Sequence, residues 1–165
     1  MLQTKWTYLH NLHHHLQESP QETLEALLKE DPKKEMRQVS ILDAAGRKAV
    51  FTGRETLEWR GHKIGEDCIA AGNALVSGNV VDAMVEAFEN SAEWLADRLM
   101  TALEAAQEAG GDRRGKMSAA LLIVEKEPIL ETRPFLSLRV DMHMEPIKEL
   151  RRIFEAYKKW AKMAC

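Results

Sequence analysis

The chain reads as an α+β protein, and three observations carry that class. Helical and extended patterns come in runs, not in the regular strand-helix-strand alternation that builds a parallel sheet. The stretch Arg37–Thr52 alternates polar and apolar residues about a turn-like Asp43-Ala-Ala-Gly46, which is the pattern of a hairpin. Ala119-Ala-Leu-Leu-Ile-Val124 is an apolar run of strand length between a charged glycine loop and Glu125, as expected of a strand in the core.

The elements follow in order. Tyr8–Glu18 carries Leu9, Leu12 and Leu16 at helical spacing. Ser19-Pro20-Gln21-Glu22 then sets an N-cap serine, a proline at the first helical position and a glutamate at the third, which predicts a capped second helix. Asp31-Pro32 ends it, because the residue before proline is pushed out of helical geometry. Arg37–Leu42 and Lys48–Thr52 form the hairpin, and a further strand is predicted over Lys63–Ala71. Asn79 is the expected cap of a helix bearing Val80, Met84, Val85 and Phe88. Ser91 is the expected cap of another bearing Leu95, Leu99 and Leu103, nearly continuous with the first and stopped by Gly110-Gly111. Met117–Glu125 and Leu136–Met142 read as strands. Pro146 opens a basic amphipathic helix with Ile147, Leu150, Ile153, Phe154 and Tyr157 on its inner face. The pattern contains no internal repeat and no linker.

Composition narrows the function classes. A chain of 165 residues suits one domain that hides on the order of two-thirds of its unfolded surface. With 45% hydrophobic and 30% charged residues and a net charge of -3, it has no general attraction to nucleic acid or to anionic membranes, and neither is an expected partner. The longest purely apolar run, Ala119–Val124, is far short of the roughly 20 residues that cross a bilayer. Met1–Thr7 holds no apolar signal core, and a cytoplasmic location is expected. Cys68 and Cys165 have no zinc-type spacing and are too few for a disulfide framework, so both read as thiols.

Five groups of residues could carry chemistry. Asp112, Arg113, Arg114, Lys116 and Ser118 sit in the loop Gly110-Gly-Asp-Arg-Arg-Gly-Lys-Met-Ser118. Its guanidinium groups could hold an anion by paired hydrogen bonds while the glycines allow close approach; a solvated connection whose aspartate pairs with a nearby arginine explains the same letters. Asn73 follows Gly72 at a strand end and could stabilise an oxyanion, or it is a turn asparagine in left-handed geometry. Asp141 and His143 are two apart, which would put both on one strand face as a general-base pair or two metal ligands. A closed metal site wants about four ligands, so a hydrogen-bonded structural pair is the expected role. His10, His13, His14 and His15 form a cluster in which His10 and His14 share a helical face. They lack carboxylates or cysteines at ligand spacing and read as a polar face, and no metal or cofactor is expected. Trp59-Arg-Gly-His62 either lines a pocket or packs a tryptophan beneath a turn.

Read together and in order, Asp43–Gly53, Trp59–His62, Gly72–Asn79 followed by Val80–Phe88, Gly110–Val124, Leu138–His143 and Pro146–Arg152 resemble the family called domain of unknown function 1028, which is similar to the Ntn hydrolases. The resemblance runs from Ser19 to Phe154, which divides the chain into a divergent N-terminal helix, residues 1–18, and a single domain, residues 19–165. It implies a reduced helix-sheet-sheet-helix sandwich and a pocket built from Asn73, Asp112, Arg114 and Ser118. Lys116-Met117 stands where an Arg-Gln pair is expected, and Met142 where a further aspartate is expected.

The family pattern opens with strands ahead of Ser19, the first headed by a Thr, Ser or Cys nucleophile. No such segment is matched here, and Leu2 hinders removal of Met1. The resemblance implies an Ntn-type amidohydrolase, but without that segment the chain as given is expected to be a noncatalytic oligomeric or ligand-binding member, with a small anionic ligand as its candidate partner. The alternative is an amide-bond hydrolase whose N-terminal nucleophile segment is missing from this chain. Without those strands, faces bearing Leu121 and Ile123, or Leu138 and Val140, would lie bare, so a homodimer is expected unless helices within Tyr8–Glu30 cover them.

Overall fold

The computed structural model describes residues 18–124 and 135–164, with side chains up to 161. The α+β class holds. Among the described residues, four α-helices, α1 (Pro20–Glu30), α2 (Asn79–Glu89), α3 (Leu95–Glu108) and α4 (Pro146–Ala164), accompany six strands: β1 (Gln38–Leu42), β2 (Lys48–Thr52), β3 (Gly61–Ile64), β4 (Ile69–Gly72), β5 (Ala119–Ile123) and β6 (Leu136–Val140). Among the described residues the strands pair antiparallel as three two-stranded sheets, β1-β2, β3-β4 and β5-β6.

Ser19 caps α1 as the sequence requires. Its hydroxyl accepts from the Glu22 amide at 3.3 Å, while the Glu22 carboxylate accepts from the Ser19 amide at 2.7 Å. Asp31 ends the helix in extended geometry. The first hairpin pairs Gln38 with Thr52 through Leu42 with Lys48. Its turn is held by the Asp43 carboxylate, which accepts from the Ala45 and Arg47 amides, and Gly46 takes the positive φ of 79° the turn needs.

Three boundaries differ from expectation. The strand expected over Lys63–Ala71 folds back on itself: Gly65 N–H donates to Cys68 C=O at 3.0 Å, giving the hairpin β3-β4 in which Gly61 pairs with Gly72 and Ile64 with Ile69. A side chain at Gly65 would meet Glu89 and Val85 on α2, so this turn lies hard against the helix. Helix α2 is capped by Gly78, with Asn79 as its first helical residue and no side-chain cap. Helix α3 begins at Leu95, with Trp94 as its N-cap, while the Ser91 hydroxyl accepts only the Glu93 amide at 3.4 Å. The Trp94 ring is stacked on Phe154 and set edge-on to Phe135. That packing goes with a non-helical Trp94, at φ -59° and ψ 148°, so residues 90–94 separate α2 from α3.

Packing arranges these pieces in order. Helix α1 lies on β1-β2, that hairpin touches β3-β4 through β1 with β4 and β2 with β3, and α2 lies on the far hairpin. One core joins Ala70, Leu75 and Ala106 to Val80, Val81 and Val85 of α2, with Trp59 against it. A second core joins Leu121, Ile123, Leu136 and Val140 to Ala96 and Met100 of α3 and Leu150 and Phe154 of α4. The strand face expected to lie bare is thus covered within the chain by α3 and α4, while α1 lies on β1-β2. Ile147, Ile153 and Tyr157 pack where the periodicity of α4 places them. Among the described residues no helix is long and apolar enough to cross a membrane.

Candidate functional site

The Gly-Gly-Asp loop is pinned to the segment that follows β4. Val76 N–H donates to Gly111 C=O at 3.1 Å and Arg113 N–H to Ala74 C=O at 2.9 Å, so Leu75 and Asp112 form an isolated β-bridge. Gly110 and Gly111 have φ of 112° and 61°, geometry that strains other residues. A Cβ on Gly110 would stand 2.4 Å from the Val76 side chain. The glycines therefore serve a close backbone approach, and the loop lies beside the residue after Asn73.

Asp112 is fixed from within the loop. Its carboxylate accepts from the Arg114 amide at 2.8 Å and from Arg114 Nε at 2.9 Å, with Nη2 reaching its other oxygen. The Asp112 side chain is only 6% exposed and that of Arg114 43%. The Arg114 hydrogen bonds hold the Asp112 carboxyl below its ordinary pKa, and the same bonds raise that of Arg114. The local pairing named as the structural alternative is present, with one guanidinium edge left toward solvent. Ser118 is exposed and makes no hydrogen bond with Asp112 or Arg114.

Asn73 belongs to a different cluster, centred on a residue the sequence did not single out. Its amide donates to Gln38 Oε1 at 3.1 Å. The Gln38 amide reaches Gly72 C=O at 2.9 Å, Gly61 C=O at 3.0 Å and Thr52 Oγ1 at 3.1 Å. Thr52 Oγ1 in turn lies 2.9 Å from Nδ1 of His62 on β3. One carboxamide from β1 therefore ties four strand ends together and brings a hydroxyl, an imidazole and a second amide to the same place. The only cue in the sequence is a polar residue opening an alternating strand, which is too common to select Gln38. Trp59 of the Trp-Arg-Gly-His motif packs against Gly61 and Gly78, as the turn-packing reading holds.

Asp141 and His143 do not form a pair. Strand β6 ends at Val140, and Met142 has a positive φ of 52°, so the alternation that would align the two side chains is broken. Asp141 is bound by Arg139 at 2.6 and 2.9 Å, which lowers its pKa. Nδ1 of His143 accepts from the Glu145 amide at 3.0 Å. Among the described residues no group of three or more His, Cys, Asp or Glu could hold a metal. His10, His13, His14 and His15 lie outside the described residues, as does Cys165. The Cys68 thiol is free and half-buried, and burial raises its pKa.

Two open hollows flank the start of α4. One, of about 260 Å³, lies between α3 and α4 beside Lys116 and Glu145; the other, of about 380 Å³, lies among His143, Lys148 and Arg152. Neither is lined by Asn73, Asp112, Arg114 or Ser118. The four residues expected to share a pocket are divided between the pinned loop, the Gln38 cluster and the surface.

Comparison with known proteins places these features in a wider setting. The model of a "Family of unknown function (DUF1028)" matches residues 4–150. The crystal structure of protein SPO2555 from Silicibacter pomeroyi, assigned to the same family model, is similar with a TM-score of 0.73 and 33% sequence identity. The similarity covers 83% of this chain and 57% of that one, so the chain spans little more than half the length of that relative. No curated protein matches it.

Proposed function

The chain belongs to this family of unknown function, and from that premise we propose that it acts as a noncatalytic, oligomeric, ligand-binding member whose Gly-Gly-Asp loop presents an anion-binding edge. One observation carries the reading: Arg114 is anchored by Asp112 through one side of its guanidinium while the side chain remains 43% exposed. A guanidinium has five N–H donors, so donors are left for a small carboxylate, and exposed Arg113 stands next to them. The loop's backbone bonds to Ala74 and Val76 fix this edge in advance, which lowers the ordering cost of binding.

The oligomeric part of the reading is supported by the outer side of β5-β6. Strand β5 is apolar on both faces, its outward Leu122 is 54% exposed and the adjoining Val124 is 71% exposed. Strands of continuous apolar sequence usually have both faces covered, and a homodimer would supply the second cover. A cytoplasmic location fits the free Cys68 thiol.

Calorimetric titration with a small dicarboxylate tests the ligand reading. Binding weakened at least about tenfold by Arg114→Ala is expected, since charge-assisted paired hydrogen bonds are worth about 1.5–3 kcal/mol. Binding indifferent to that change, or no binding at millimolar ligand, would reject it. Light scattering over a dilution series tests the dimer, and a folded monomer throughout would remove it.

A second reading is an Ntn-type amide-bond hydrolase whose nucleophile lies outside these 165 residues. It is supported by the helix-hairpin-hairpin-helix packing order and by the greater length of the SPO2555 chain. Amide turnover by the 165-residue chain, lost on mutating one Thr, Ser or Cys, would overturn the noncatalytic reading outright.

A further inference from the structure

We infer that Thr52 is an acyl-acceptor site, with His62 as its base, able to take an acyl group from an activated ester. The inference goes beyond the anion-binding reading and involves different residues. Gln38 Nε2 donates to Thr52 Oγ1 at 3.1 Å. That bond occupies a lone pair of the hydroxyl, and in the tautomer that carries the imidazole proton on Nε2 the hydroxyl donates to His62 Nδ1, 2.9 Å away. A hydroxyl within hydrogen-bond reach of an imidazole is the arrangement that activates a side-chain nucleophile.

The surroundings complete the arrangement. Thr52 closes β2 opposite Gln38, and His62 lies on β3 opposite Ala71, so both are set on strands and not on a loop. His62 is exposed and Thr52 half-buried, which opens the hydroxyl's imidazole side to a reagent. Asn73 Nδ2 donates one of its two hydrogens to Gln38 Oε1. Asn73 itself is half-buried. The Asn73 amide and the Thr52 hydroxyl thus sit on opposite ends of the same Gln38 carboxamide.

The step balances with an activated ester as the acyl donor. The Thr52 Oγ1–carbon bond forms at the acyl carbonyl while the hydroxyl proton moves to His62 Nδ1. The carbon–oxygen bond to the leaving group then breaks with its electron pair, expelling the alkoxide or phenolate, and the imidazolium releases its proton to that group or to water. No oxidant, metal or cofactor is consumed. One turn leaves an O-acyl threonine, which a noncatalytic protein can carry as a modification.

The test uses the full chain with p-nitrophenyl acetate, reading p-nitrophenolate release, intact mass and peptide mapping. The expected result is a burst of about one equivalent and one added acetyl group mapped to Thr52. Thr52→Val should abolish that acetylation, Thr52→Ser should retain it, and His62→Gln should slow it about 100-fold, the usual contribution of a general base. Circular dichroism confirms folding of each variant, and exposed His62 makes His62→Gln a safe probe if Thr52→Val misfolds. Acetylation confined to lysines, to Cys68 or to the histidines at 10–15, or a Thr52 rate unchanged in His62→Gln, would overturn the assignment.

Discussion

Replacing Gln38 by Met keeps the length of the side chain and removes every hydrogen bond of the strand-end cluster. The wild-type carboxamide accepts from Asn73 and shares its two donor hydrogens among Gly72, Gly61 and Thr52 at 2.9–3.1 Å. Each such bond is worth about 0.5–1.5 kcal/mol net, and a buried acceptor left without a donor costs about 1–3. The site is half-buried, so water recovers part of the loss and the lower values apply, giving about 2 kcal/mol in all. For a protein of this size that is a fall in Tm of about 4–8 °C. Gln38→Glu separates hydrogen bonding from packing. At neutral pH its carboxylate faces the Gly61 and Gly72 carbonyls and should destabilise more than Met does, and acid should narrow that difference by restoring a proton. The assay is thermal unfolding by circular dichroism, with a double-mutant cycle against Asn73→Ala expected to show about 0.5–1 kcal/mol of coupling. A Gln38→Met variant melting within a degree of wild type, with no coupling to Asn73, would refute the view that this side chain joins the two hairpins.

Three further outcomes follow from the packing and the charges. Asp112→Asn should lose about 1–2 kcal/mol at neutral pH, because the ion pair with Arg114 is lost and only one of the two accepting oxygens remains. The folded carboxyl titrates below its unfolded value near 3.9, so the stability it adds is present above that pH and disappears as pH falls through the folded pKa; urea unfolding from pH 7 to pH 3 should show the wild-type advantage closing. Phe154→Ala, at a fully buried ring, should cost about 3–5 kcal/mol, read as a lower urea midpoint with loss of Trp94 near-ultraviolet ellipticity. Ser19→Ala removes one side of the capping box and should cost about 1 kcal/mol, checked by faster hydrogen exchange in α1.

What the sequence made legible is what neighbouring residues decide among themselves. The Ser19–Glu22 box, the Asp43–Gly46 turn and the inner face of α4 each rest on contacts within a few positions, and each stands where the pattern puts it. The start of α3 was not legible, because Trp94 is held by Phe135 and Phe154, 41 and 60 positions away. Asp141 and His143 looked aligned because alternation was extended past the end of β6, and a single positive φ at Met142 undoes it. Gly65 stands inside a segment that reads as one strand, although its lack of a side chain is what lets the β3-β4 turn press on α2.

The candidate chemistry was half legible for a related reason. Asn73 reads as a candidate oxyanion donor, a role that needs a nucleophile nearby, and nothing along the chain indicates where such a group would stand. The fold brings Thr52 to the other end of the Gln38 carboxamide, 21 positions away in sequence from Asn73 but joined to it by two consecutive hydrogen bonds. Hydroxyl, imidazole and amide are each ordinary on their own strand. Their conjunction depends on the contact of β1 with β4 and of β2 with β3, a meeting of two hairpins that each satisfy their own backbone ladders. Because Gln38 serves both the junction and the placement of Thr52, loss of the junction should also reduce acetylation at Thr52. Gln38→Met assayed with p-nitrophenyl acetate below its melting temperature is therefore expected to acylate Thr52 about tenfold more slowly, the loss of one charge-orienting hydrogen bond worth about 1.4 kcal/mol. Peptide mapping decides it, and an undiminished Thr52 rate in the folded variant would separate the junction from the chemistry.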